Sequence, residues 1–309
     1  MKTPAFFCVV AATALAGISA AEEKQPPKAA PLAASDVELI RDVEFGKGGS
    51  RTLHMHIARP KGEIKNPLPA IVFVHGGAWR GGHRNAGLPF ATGFAQQGFI
   101  GATIEYRFSQ EAKFPAQIED CKCAIRFLRE HAAEYHIDPD RIGVMGASAG
   151  GHLVALLGTT ANEKEFEGTG GSEKFSSRVQ AVCDWFGPAD LTRMHEGKST
   201  IDHASPNSPE SLLIGGTAAE NPDKAKRASP ITYVSGDSAP ILIMHGDQDQ
   251  LVPVAQSESF AAALKKAGVD VTLHVIKGAG HGGPGFNTED VRHEVQEFFN
   301  RHLKSPAKN

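Results

Sequence analysis

Cysteine is scarce in this sequence, four in 309 residues. Cys8 falls inside an apolar N-terminal stretch, which leaves Cys121, Cys123 and Cys183, and an odd set cannot complete a disulfide framework. Cys121 and Cys123 are two apart on an expected helix, point to different faces and do not suit each other as partners. Buried free thiols are expected, with a bridge from either to Cys183 the alternative in an oxidising compartment. Charge of one sign is also lacking. The 35 acidic and 32 basic residues leave a formal net charge of -3. They are mixed along the chain, without the basic patch that nucleic acid or an anionic membrane surface would require. No apolar run is long enough to span a bilayer, and no blade-like repeat is visible. Against these absences stands a hydrophobic content of 41%, enough for the core of one large α/β domain.

The N-terminus has an order of its own. Lys2 precedes an apolar stretch from Ala5 to Ile18, then Ser19-Ala20-Ala21 and Glu22-Glu23. A positive start, a short greasy core and a small-residue cleavage site describe a secretory signal peptide over 1–21 and a secreted or periplasmic protein. Residues 22–35, rich in proline, alanine and charge, read as a flexible linker, and residues 36–305 as a single domain.

Within that domain apolar runs alternate with helical periodicity. Val37 to Pro60 alternates as an opening antiparallel hairpin. Apolar runs at 69–74, 141–145 and 240–244 read as buried strands, and 99–105, 179–185 and 269–276 as further strands. Between them lie helices at 86–97, from Phe114 to about Tyr135, after Ser148, at 254–267 and at 289–303. That alternation argues for right-handed βαβ units and an α/β fold: a mostly parallel sheet of about eight strands, helices on both faces and a small cap. Asp138-Pro139-Asp140 reads as a turn. The polar, Gly-rich stretch 159–178 reads as a mobile insertion at the strand ends and 192–229 as a cap or lid crossing the site, both of them cap or lid insertions into the domain.

The candidate chemistry gathers at the ends of those strands. Gly146-Ala147-Ser148-Ala149-Gly150 sits between a strand and a helix, the setting of a nucleophile elbow, where small neighbours let a strained turn expose Ser148. His75-Gly76-Gly77-Ala78-Trp79 follows another core strand. Backbone N–H groups of Gly77 and Ala78, with that of Ala149, are candidate oxyanion donors. After the strand 240–244 comes His245-Gly246-Asp247-Gln248-Asp249. Asp249 is the candidate acid, and Asp247 a turn former that bonds backbone N–H groups. Gly280-His281-Gly282 puts a histidine on a flexible loop, the candidate base. Trp79, Trp185 and Phe186 are candidate substrate contacts, with core packing the competing reading for each. Asp190 suggests a helix cap. His152, on the first helical turn after Ser148, points away from the attack side and reads as a packed, hydrogen-bonded histidine. His54 and His56 share a strand face without a carboxylate or cysteine companion nearby in sequence, so a solvent-facing pair is expected rather than a metal site.

With these residues in view, the chain resembles the α/β-hydrolase superfamily over nearly its whole mature length. His75-Gly76-Gly77-Ala78-Trp79, Gly146-Ala147-Ser148-Ala149-Gly150-Gly151-His152-Leu153 and Trp185-Phe186-Gly187-Pro188 are similar to the secreted carboxylesterases. These include acetyl xylan and feruloyl esterases and bacterial relatives of hormone-sensitive lipase. The chain order Ser148, Asp249, His281 matches the family. The resemblance implies a serine carboxylic-ester hydrolase that needs no metal or organic cofactor. Its substrates would be short acyl or feruloyl esters, small molecules or plant polysaccharide. The loop departs from the Gly-Gly-Gly of many lipase relatives, and its Gly-Gly-Ala-Trp is similar to arylformamidases, which would make an activated amide the scissile group. A peptidase of the prolyl oligopeptidase type, a non-catalytic binding protein on the same scaffold and a zinc hydrolase built on His54 and His56 are the rival readings.

Overall fold

The computed structural model describes residues 33–304. The expected signal segment and most of the linker lie outside the described residues. The linker's last residues enter a single 3-10 turn, Ala34–Asp36.

Eight strands form one sheet: β1 (Val37–Gly48), β2 (Arg51–Pro60), β3 (Leu68–Val74), β4 (Ile100–Ile104), β5 (Ile137–Ala147), β6 (Ala181–Trp185), β7 (Ile241–Gly246) and β8 (Val271–Ile276). Their spatial order is β1-β2-β4-β3-β5-β6-β7-β8. β1 pairs antiparallel with β2 and β2 with β4; every later pairing is parallel. The helices are α1 (Leu88–Gln96), α2 (Ala116–Glu130), α3 (Ala132–Tyr135), α4 (Ala149–Thr159), α5 (Pro209–Ile214), α6 (Pro222–Arg227), α7 (Ala255–Lys266) and α8 (Glu289–Phe299).

The unbroken apolar runs have a physical reason. Parallel strands covered on both faces cannot alternate with polar residues. Ala70, Val72 and Val74 of β3 pack with residues of α2, α4 and α7, while Ile71 and Phe73 pack with residues of α1 and α8. Each such side chain contributes roughly 1.5–3 kcal/mol when withdrawn from water. This is the α/β-hydrolase fold.

Four local expectations need correction. The helix expected from Phe114 to Tyr135 is interrupted at His131, where α2 gives way to the single turn of α3, and His136 then closes that turn in the left-handed region. Asp138-Pro139-Asp140 lies inside β5 as an irregularity: Leu68 pairs with Ile137 but Ala70 with Ile142, and Asp138 accepts the Asp140 N–H. Asp190 caps no helix; its carboxylate closes a turn on the N–H and hydroxyl of Thr192. The segment 159–178 is not a lid near Ser148. It begins at the far end of α4, about 16 Å along the helix axis, and it is tied down. Lys122 and Arg126, both buried, bond Glu167, and Arg126 also bonds Gly171 O.

The other insertion, 192–229, does follow the C-terminal end of a strand. Its Thr200 N–H donates to Gln250 O at 2.7 Å, and His203 reaches Leu251 O at 3.1 Å. The cap therefore rests on the loop that carries Asp249.

Candidate active site

β5 delivers Ser148 to the rim of the sheet. The residue sits at φ 55°, ψ -121°, a conformation that costs a side chain-bearing residue about 1–3 kcal/mol. Close packing enforces it. A Cβ on Gly146 would meet Gly150 O at 2.3 Å, and one on Gly150 would meet Val74 O at 2.1 Å. Neither position tolerates a side chain, so the strand, turn and helix pack backbone to backbone. The Ser148 N–H donates to Trp185 O at 2.9 Å, and Ser148 O accepts from His152 N.

β7 and β8 supply the rest. The loop after β8 brings His281 Nε2 to 2.9 Å from Ser148 Oγ, and the loop after β7 brings Asp249 Oδ2 to 2.7 Å from His281 Nδ1. A carboxylate can only accept, so Nδ1 carries the proton and Nε2 is free to receive the hydroxyl's. Asp249 is fully enclosed at its side chain. Burial alone would raise its pKa. Hydrogen bonds from His245 and His281, the charge of His281 and the Val252 N–H together hold the carboxyl well below the usual range. Its other oxygen accepts from Leu251 N at 2.8 Å and Val252 N at 2.9 Å.

His245 is a member the sequence reasoning missed. It is completely buried, with Nε2 3.1 Å from Asp249 Oδ2 and 2.9 Å from Val252 O, and Nδ1 2.7 Å from Ser257 Oγ. The hydroxyl donates to Nδ1, so the Nε2 proton is shared between the Asp249 carboxylate and the Val252 carbonyl. A histidine four residues before the candidate acid, at the end of an apolar strand, was the available signal. Asp184 was missed too. Its Oδ1 accepts the Gly187 N–H at 2.9 Å, Oδ2 has no partner among the described residues, and burial pushes its pKa up to about 6. Only its strand-end position hinted at it.

Opposite His281, the loop after β3 turns with three consecutive positive φ values, 118°, 55° and 54° at Gly77, Ala78 and Trp79. A Cβ on Gly77 would meet Gly81 O at 2.2 Å. The N–H groups of Gly77, Ala78 and Ala149 donate to no acceptor among the described residues. Such orphan donors beside a helix N-terminus can bind an anion.

Of the expected substrate contacts, Trp79 is 2% exposed and packs beneath the loop. Its Nε1 donates to His152 Nδ1 at 3.2 Å, and His152 Nε2 donates to Ala228 O at 2.7 Å. Burial depresses the His152 pKa to about 4, so this histidine is a neutral strut between the loop after β3, α4 and the segment 192–229, the packed role expected of it. Trp185, also buried, packs against Phe90 and Phe286. Phe186 lies 4.5 Å, ring to ring, from His281 and backs it. None of the three presents an exposed ring beside Ser148.

His56 is not solvent-facing as expected. It is buried, accepts the Asp42 N–H at Nδ1 and bonds Asn85 Oδ1 through Nε2, while His54 is about one-third exposed. Among the described residues no group of three or more His, Cys, Asp or Glu is arranged to hold a metal ion. Cys121, Cys123 and Cys183 are free and buried.

Known proteins share this arrangement's scaffold. The chain is 36% identical over 232 residues to esterase LipQ of Mycobacterium tuberculosis, covering 74% of this chain and 53% of that protein, so it spans about half of that relative's length. A truncated carbohydrate esterase from gut microbiota superposes with a TM-score of 0.76 at 34% identity, over 89% of this chain and all of that one. Esterase 2 of Thermogutta terrifontis, in a form phosphoramylated by tabun, matches with a TM-score of 0.72 at 26% identity, over 89% and 98% of the two chains. The BD-FAE family profile matches residues 55–264. With two thirds of its length inside that match, on the α/β-hydrolase fold described above, this chain belongs to the BD-FAE family.

Proposed function

We propose that the protein is a serine carboxylesterase in which Ser148 is the nucleophile, His281 the general base and Asp249 the group that orients and charge-stabilises the imidazole. The observation that carries this reading is the continuous line from Asp249 Oδ2 through the His281 ring to Ser148 Oγ, at 2.7 and 2.9 Å. Ser148 Oγ attacks the ester carbonyl carbon as its proton passes to Nε2. The imidazolium that forms is held by the Asp249 carboxylate. The orphan N–H groups of Gly77, Ala78 and Ala149 take up the oxyanion, each worth roughly 3 kcal/mol in the transition state. The alcohol leaves with the proton from His281, and water repeats the sequence to free the acid. Support comes from the esterase names of the relatives and from a neighbour modified by an organophosphate, a reagent for activated serines.

The substrates we assign are short acyl or feruloyl esters, including those on plant polysaccharide, in keeping with the carbohydrate esterase among the structural neighbours. The activated-amide alternative drew on Trp79 in the oxyanion loop. That ring is buried under the loop and offers no face to an aryl amide, which favours the ester. The N-terminal segment supports a secreted or periplasmic location.

The test pairs two measurements. Ser148→Ala abolishes hydrolysis of p-nitrophenyl acetate, by about 10⁴-fold or more, with the fold intact, and the parent is labelled at Ser148 by a fluorophosphonate. A variant hydrolysing at the parent rate would remove Ser148 from the mechanism. Parallel assays on acetylated xylan, methyl ferulate and N-formylkynurenine then rank the substrate classes.

A further inference from the structure

A cavity of about 390 Å³ opens between α1 and α8, lined by Phe90 and Phe94 of α1, Trp185 at the end of β6, Phe286 and, from β5, Met145. These helices pack on the face of the sheet opposite α4. Four of its lining residues are aromatic. Phe90 and Trp185 meet edge to face at 5.7 Å between centroids, and Trp185 and Phe286 lie 5.1 Å apart. The size falls within the range of small-molecule sites.

Three features separate this space from a packing fault. Gly93, in the interior of α1, lines it, and a Cβ built there meets no heavy atom within 4 Å. Glycine destabilises a helix interior relative to alanine, and here it leaves this stretch of the cavity wall without a side chain. Arg292 stands at the rim with no carboxylate partner within 4 Å among the described residues; its guanidinium donates to Asn287 O. Lastly, the indole Nε1–H of Trp185 is buried without a hydrogen-bond acceptor, the Cys183 thiol being at most a weak one. The rim residue Gln97 likewise keeps a buried Oε1 unpaired. Buried polar groups are ordinarily satisfied.

We propose that this cavity is a second binding site, separate from Ser148, for a small arenecarboxylate. The ring lies among Phe90, Trp185 and Phe286, and the carboxylate takes the planar fork of Arg292. Phe286 packs edge to face on Phe186 at 4.8 Å, and Phe186 lies 4.5 Å from His281. The occupant therefore sits behind the aromatic pair that backs the histidine.

Calorimetric titration of the full chain with 2-naphthoate and with its neutral isostere, 2-naphthamide, tests the site. Saturable one-site binding of naphthoate is expected, with the amide weaker by about tenfold or more. Arg292→Gln erases that preference. Gly93→Leu fills the space and removes binding, while its melting temperature is no lower than the parent's because leucine is the better helix former. Protein carrying a fluorophosphonate adduct on Ser148 binds naphthoate as the parent does. The proposal is overturned by absent saturation at millimolar ligand, by binding lost on labelling of Ser148, or by Gly93→Leu binding as the parent. Calorimetry reads binding and not turnover, so failure of this site and failure of the esterase reading are separate results.

Discussion

Two ends of the same helix hold charge and strain in opposite ways. Around the N-terminus of α4 the chain keeps four non-glycine residues at positive φ, namely Ala78, Trp79, Ser148 and Phe186. Beside them stand unpaired N–H donors and a partly exposed imidazole. Beyond the C-terminus of the helix, the buried cations Lys122 and Arg126 share the one carboxylate of Glu167 at 2.8 and 2.9 Å, and Arg126 adds backbone carbonyls. The upper end leaves groups unsatisfied where a reacting ester would supply the missing partners. At the lower end every cationic nitrogen donates to an acceptor of the protein itself, because buried charge there has no other compensation. Unpaired donors with backbone strain mark the proposed site, and paired charge marks a strut.

The largest effect that can break this contrast is at the acid. Asp249→Asn keeps the side chain's shape but no longer fixes the His281 tautomer, so kcat should fall by about 10³- to 10⁴-fold. Asp247, whose carboxylate accepts the Gly278 N–H at 2.7 Å, should tolerate the same change with kcat within a few-fold of the parent. Steady-state kinetics on a p-nitrophenyl ester decides; the reverse ranking would exchange the two roles. At the other end, Glu167→Ala strands two buried cations. It should cost about 3 kcal/mol of stability, read as a lower denaturant midpoint, while kcat stays unchanged.

How far the sequence shows these two ends is uneven. The strands and the Ser148, Asp249 and His281 positions follow from local signals: apolar runs, a serine among small residues, a carboxylate and a histidine just after strands. The fate of 159–178 did not follow, since its polar, Gly-rich composition looks mobile and only the burial of Lys122 and Arg126 against it shows otherwise. Trp79 is similar. Its place beneath the loop depends on His152 and Ala228, which are distant in sequence. His245 and Asp184 differ: their partners are near in sequence, Asp249, Val252 and Ser257 for the first and Gly187 for the second, but only the folded turns after β7 and β6 show which way those side chains face.

Asp184 sharpens the comparison through pH. Its folded pKa, about 6, lies above the ordinary 3.8, so the fold prefers the protonated carboxyl. The stability this contributes is complete below about pH 3.8 and is lost as pH rises through 6, which makes the ionised fold weaker by about 3 kcal/mol at neutral pH. Asp184→Asn keeps an oxygen for the Gly187 N–H and removes the titration. Its denaturant midpoint should exceed the parent's at pH 8 and match it near pH 4. A difference that is the same at both pH values would rule out the buried carboxyl as the cause.

The smallest effect expected is at His245, which touches no substrate and acts through Asp249. His245→Leu removes the donor at 3.1 Å from the carboxylate and leaves one oxygen of Asp249 to His281 alone. A loosened acid misaligns the imidazole, so kcat should fall by about tenfold, near 1.4 kcal/mol, with KM little altered. His245→Gln, which can still donate toward Asp249, should recover part of the loss. A rise in KM with kcat preserved, or equal defects in both variants, would make His245 a packing residue of β7 and leave Asp249 held by its two backbone N–H bonds and His281.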